Sequence, residues 1–187
     1  MRAPAPPSRR RLHKWGIARA LALALAAWWT LPVAAQERPT EQSLRAAMLF
    51  NFLKFTEFPQ EATAADPQRL RICFSVGDPA QAEALVGLAG RKAGNRELVI
   101  ARLADRSDNC AVIYVDSRQR WNAALENRSA GSALTIGSYR DFVADGGILE
   151  IDVQPDGNRF DVNLAQARVA RLRLSPQLLR LARRIHE

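Results

Sequence analysis

Histidine is almost missing from this sequence. Of its 187 residues only His13 and His186 are histidines, and His13 lies in a basic leader. The rest of the chain therefore offers no imidazole for Ser-His or Cys-His catalysis or for a histidine-based zinc site, unless His186 is recruited. Beside the C-terminus, that residue suits the plainer role of a helix C-terminal cation. Cysteine is scarce too: Cys73 and Cys110 are the whole set, too few for a zinc site by themselves. No Walker loop occurs, and no G-x-G-x-x-G follows a strand-like run. A full membrane-length apolar run is also wanting, since the uncharged stretch from Arg19 to Gln36 falls somewhat short of the ~20 residues a bilayer span needs.

What stands at the N-terminus has three parts. Arg2, Arg9, Arg10, Arg11, Lys14 and Arg19 make a basic region, LALALAAWWTLPV an apolar one, and Val33-Ala34-Ala35 a small-residue cleavage point before Gln36. These parts predict a secretory signal over 1–35 and an exported domain over 36–187, with an uncleaved anchor as the alternative. Ser8-Arg9-Arg10-Arg11 also loosely resembles a twin-arginine signal. Six of the 27 basic residues and none of the 19 acidic ones precede residue 36, so the remainder carries 21 basic against 19 acidic. The formal charge of +8 is mostly leader charge. It gives no reason to expect a nucleic-acid partner, and no basic stripe interleaved with aromatics appears.

Hydrophobic residues make up 48% and charged residues 25% of the chain, an ordinary globular composition. The 152 residues after the leader suffice for one domain with a real core. Thr40 caps a first predicted helix in which Leu44, Met48, Phe52 and Phe55 share one face, while Ala46, Leu49, Phe50 and Leu53 cover other directions. Arg45, Asn51 and Lys54 do not gather on one side, and Pro59 ends the segment. A helix apolar all round is normally enclosed by protein.

After a polar linker over Gln60–Gln68, strand-like and helix-like runs alternate. LRICFSVGD, ELVIARL, NCAVIYVD and ALTIGS read as strands. PAQAEALVGLAG, a segment capped by Ser117 and the short YRDFVADGG read as helices. GGILEIDVQPDGNRFDVNL then alternates as an antiparallel hairpin turning at Pro155–Asn158. A last helix is expected after Ser175-Pro176, with Leu178, Leu181, Ala182 and Ile185 inward and Arg180, Arg183 and Arg184 outward. The expected fold is α/β: a single three-layer domain, mostly parallel sheet with helices on both faces and a C-terminal antiparallel hairpin.

Few residues point to chemistry. Ser75-Val76-Gly77-Asp78 is a strand-to-helix turn that suits a ligand at Gly77 and Asp78, or simply a capped turn. Gly146-Gly147 is a second place for a ligand. Glu150, Asp152 and Asp161 make a carboxylate set on the outer hairpin face, for which a solvated strand face is the default. Cys73 lies on the first buried strand and Cys110 begins the third. Such strands are commonly neighbours in a doubly wound sheet, so a bond between them is sterically reasonable; two separate buried thiols are the alternative.

LRAAMLFNFLKFTEFP resembles the AAxLxNFxKFxExP-like signature of the YfiR family, which follows an export signal. RICFSVGDP, GRKAGNREL, CAVIYVD, LTIGS, DGGILEI, RFDVNLAQA and LRLSPQLLRLAR continue the resemblance in order, over roughly Glu41 to Arg184. The resemblance implies a small periplasmic α/β protein without catalytic activity and without a cofactor. Its implied role is to bind the periplasmic part of an inner-membrane diguanylate cyclase, or a related sensor protein, and hold it inactive. Cyclic di-GMP and biofilm growth would fall accordingly. It also implies a disulfide, which Cys73 and Cys110 fit, whereas the second pair of some members has no counterpart after Cys110. Phe50, Asn51 and Phe55 are the expected edge of the first helix toward a partner or a second copy of the chain. A periplasmic small-molecule sensor is the rival reading.

Overall fold

The computed structural model describes residues 39–59, 66–103, 109–126 and 131–187. The expected leader lies outside them, as does most of the Gln60–Gln68 linker. Thr40 accepts the Ser43 N–H and starts α1, Glu41–Lys54. The helix ends at Phe55, short of Pro59, where the chain turns into β1, Thr56–Glu57.

Alternation follows: β2 (Arg69–Ser75), α2 (Pro79–Val86), β3 (Lys92–Ala93), β4 (Arg96–Arg102), β5 (Val112–Val115), α3 (Arg118–Glu126) and β6 (Leu134–Gly137). The hairpin is β7 (Leu149–Gln154) and β8 (Gly157–Asn163). The chain closes with α4 (Leu164–Val169), β9 (Arg173–Leu174), α5 (Pro176–Leu179) and β10 (Arg184–His186). β1 and β9 form a small ribbon of their own, and the main sheet runs β10-β8-β7-β6-β5-β2-β4-β3. Its five inner neighbours from β4 to β7 are parallel, while β3 and β8 are antiparallel to the strands they flank.

Successive residues of a strand point to opposite faces, and β5 shows both faces covered. Val112 and Tyr114 join the larger core with Leu49, Phe52 and Leu53 of α1 and Leu85 of α2. Ile113 and Val115 join a second core with Trp121 and Ala124 of α3 and with Phe142. The three layers and the hairpin are those expected from the pattern. Cys73 and Cys110 are bonded, with Cα atoms 5.7 Å apart, between neighbouring parallel strands.

Three expectations are corrected. First, α1 does keep one narrow exposed stripe: Ser43, Ala47, Asn51 and Lys54 are exposed at helical spacing, while Ala46, Leu49, Phe50, Phe52 and Leu53 are buried.

Second, Tyr139–Gly146 is a run of turns, not a helix. Asp141 has φ 69°, in the left-handed region, and the Phe142 ring is driven inward between two glycines. A Cβ on Gly137 would come within 2.3 Å of that ring, and one on Gly147 within 2.1 Å. Gly147 therefore makes room for Phe142, which is the use its missing side chain serves.

Third, the last helix stops after Leu179, and the chain extends as β10 alongside β8, parallel to it. The Arg183 N–H donates to the Phe160 carbonyl at 2.8 Å. Arg180, Arg183 and Arg184 are exposed as expected, but Arg183 and Arg184 also reach the Asp161 carboxylate on β8. Leu181 and Ile185, expected inside, are exposed.

Candidate functional site

A ligand crevice in an open α/β sheet usually lies where the strand order reverses, beyond the carboxyl ends of the strands. Here that point is between β2 and β5, because the chain leaves β2 toward β4 and later returns to β5 on the other side. The polar groups at that point are engaged by the chain itself. The Asp116 carboxylate accepts the Gly77 N–H at 2.6 Å and the Asp78 N–H at 3.4 Å, and Arg120 pairs with it at 3.1 Å. Asp78 caps α2 through the Ala80 N–H at 2.9 Å and accepts from Gln42 at 2.9 Å. The Gln42 hydrogen bond, then the Ala80 N–H, hold the Asp78 carboxyl below its ordinary range. Gly77 and Asp78 thus form a capped turn whose donors are committed internally.

A cleft of a different kind lies elsewhere. It has a volume of about 570 Å³ and is bounded by the first turns of α1, the 138–144 turn, β7 and the C-terminal strand. Its floor comes from the hairpin. Leu149, Ile151, Phe160 and Val162 enter the core, so Glu150, Asp152 and Asp161 are sent to the opposite face.

That face is not the solvated one expected: Asp161 is 1% exposed and Glu150 6%. The two stand directly opposite each other in the β7–β8 register, an unfavourable juxtaposition of like charges. Two devices relieve it. Burial by itself would raise the Asp161 carboxyl, but Arg183 and Arg184 outweigh it and hold it below its ordinary range. Arg183 binds in a fork, Nε and Nη2 each at 2.9 Å, and Arg184 adds Nε at 3.1 Å and Nη2 at 2.9 Å. Arg183 also reaches Asp152 at 2.7 Å. Glu150 has no cation of its own among the described residues. It accepts the Val143 N–H at 3.3 Å, and burial pushes its carboxyl up.

A second hub fixes the turn forming the cleft's other wall. Asp145 accepts from Arg118 Nε at 2.6 Å and from the Tyr139 hydroxyl at 3.0 Å, and its carbonyl accepts the Trp121 indole N–H at 3.0 Å. Gly146 and Gly147, read as a place for a ligand, serve this turn.

The edge expected on α1 divides. Phe50 is 7% exposed, with Arg91 4.0 Å and Lys54 4.5 Å above its ring. Phe55 is half-buried against the core, and Asn51 is exposed. Sequence reasoning gave no functional role to Arg45, Ser138 or Arg140, which line the α1 end of the cleft, or to Tyr114, buried next to Ser138. The available signals were a lone arginine inside an apolar helix and a lone hydroxyl inside the VIYV strand.

Among the described residues, no group of His, Cys, Asp and Glu is arranged to hold a metal ion, and no helix is long and apolar enough to cross a membrane. The sequence model of the YfiR/HmsC-like family matches residues 42–183, from the first turn of α1 to the approach of β10. No curated protein matches the chain closely enough to add a second comparison.

Proposed function

From the premise that this chain belongs to the YfiR/HmsC-like family, we propose that it is a non-catalytic periplasmic regulator. It binds the periplasmic part of an inner-membrane signalling protein, in the first place a diguanylate cyclase, and holds it inactive. Cyclic di-GMP and biofilm formation fall as a result. The observation that carries this reading is the family match, which runs through nearly all of the folded domain.

The geometry is compatible with action by contact. Asp161, the most deeply buried carboxylate among the described residues, has its oxygens taken up by two arginines, which leaves it no free role as a base. Residues 1–35 serve as the export signal in this reading. The exposed stripe of α1 around Asn51, with the half-buried Phe55 at its end, is the proposed contact toward the membrane protein.

Deleting the gene should raise cellular cyclic di-GMP and surface attachment, and the intact gene should restore both. Complementation should fail when residues 1–35 are removed, and weaken with Asn51→Arg in a protein whose melting temperature is unchanged. Unchanged cyclic di-GMP after deletion, under oxidising and reducing growth alike, would overturn the reading.

A further inference from the structure

The cleft has two ends with different electrostatics. On the hairpin side, Asp152 and Asp161 are matched by Arg183 and Arg184. On the α1 side, three buried polar atoms have no hydrogen-bond partner: Arg45 Nε, the Tyr114 hydroxyl and the Ser138 hydroxyl. Tyr114 is 0% exposed. Its hydroxyl lies within interaction range of the Ser138 hydroxyl, and Arg45, Asp116 and Glu41 are the charges that act on it. Ser138, Arg45 and Glu41 are themselves wall residues of the cleft.

Buried polar groups are nearly always satisfied, and one left unpaired costs about 1–3 kcal/mol; Arg45 Nε and the Ser138 hydroxyl at the cleft wall, with the Tyr114 hydroxyl next to Ser138, therefore require a cause. Their chemistry has a sign. A guanidinium nitrogen only donates, and a hydroxyl can always donate. Arg140, on the same wall, is exposed and has no partner among the described residues. The nearby acids do not answer these donors. Glu41 is engaged by the Arg45 Nη2, and Glu150 accepts the Val143 N–H.

We propose that the α1 end of this cleft binds a small oxyanion-bearing molecule, a carboxylate or a phosphate, through Arg45, Tyr114, Ser138 and Arg140. The guanidinium groups supply the charge, and the two hydroxyls complete the hydrogen bonds that a planar or tetrahedral oxyanion accepts. The site lies on the flank of α1, so an occupant would touch the helix whose exposed stripe is the proposed contact surface. The binding itself does not depend on the repressor reading.

The test uses the purified exported protein, with inorganic phosphate and succinate as probes and sodium chloride at matched ionic strength as the reference. Melting temperature should rise saturably with one of the two anions, and the responding arm identifies the source. Tyr114→Phe, which removes only the hydroxyl, and Arg140→Ala, an exposed site, should each weaken the response about tenfold or more, the scale of one hydrogen bond to a charged group. Arg180→Ala, exposed and outside the cleft, should leave it unchanged. General salting-out stabilisation would be non-saturating and equal in all variants. That pattern, no response to either anion, or an equal loss in Arg180→Ala would each overturn the site.

Discussion

At the centre of the sheet, the Cys73–Cys110 bond joins β2 to the segment that enters the neighbouring β5. At its hairpin edge, β8 and β10 are joined by the Asp161 carboxylate with Arg183 and Arg184. Both ties fasten neighbouring parallel strands, but they respond to different conditions. The disulfide spans 37 residues of chain and acts chiefly by restricting the unfolded state, worth about 3–4 kcal/mol on the chain-entropy account. It is indifferent to pH and salt and sensitive only to reductant. The ionic tie acts within the folded state. Its acid is almost wholly buried while its arginines are 30% and 64% exposed, so it is strong for a salt bridge and still open to water and ions. The centre of this fold therefore answers to redox state and the edge to proton concentration.

The largest expected effect breaks the central tie. Replacing both cysteines by serine should lower the unfolding free energy by about 2–5 kcal/mol in a denaturant titration. The loss should be the same at low and high salt. A loss indistinguishable from zero would remove the centre's claim to be the stronger tie.

Next comes the edge. Asp161→Asn should cost about 1.5–3 kcal/mol at neutral pH, the range for hydrogen bonds to charged groups. The sign of its pH dependence follows from the depressed carboxyl. The stabilisation is fully present above the unfolded pKa near 3.8 and is lost as pH falls through the lower, folded value. Wild-type stability should thus fall in acid more steeply than that of the variant, as read by melting temperature across the acidic range. Parallel profiles would mean that Asp161 is not the acid-sensitive element.

The smallest effect sharpens the contrast within the edge itself. Glu150 has the opposite sign: its folded pKa is raised by burial. Its favourable contribution is present below the unfolded pKa near 4.5 and disappears as pH rises through the folded value. Glu150→Gln should therefore match wild type in acid and be slightly more stable at neutral pH, by less than Asp161→Asn loses. A destabilisation at neutral pH would show that the charge on Glu150 is needed.

Local pattern by itself determined the five parallel strands, the first helices and the hairpin, because period-2 and period-3.6 burial are written residue by residue, but it did not contain β1, β3 or β10. The continuous apolar run of β5 required cover on both faces, and the Pro155–Asn158 turn required antiparallel neighbours. The two cysteines were open to pairing as soon as their strands could be adjacent. Only the tertiary structure decided what the polar residues do. Leu178, Leu181, Ala182 and Ile185 have helical spacing, yet the chain leaves the helix after Leu179 and its arginines meet Asp161 across 22 and 23 residues. No local rule contains that partner. Glu150 and Asp161 read as a wet strand face until α1 and the 138–144 turn are placed over them. Arg45, Tyr114 and Ser138 come from a helix and from the chain at two neighbouring strands, and they converge only when the sheet brings those pieces to one end. Backbone propensity is a sum over neighbours in sequence, whereas a buried charge or hydroxyl takes its state from neighbours in space, and those exist only once the layers have closed.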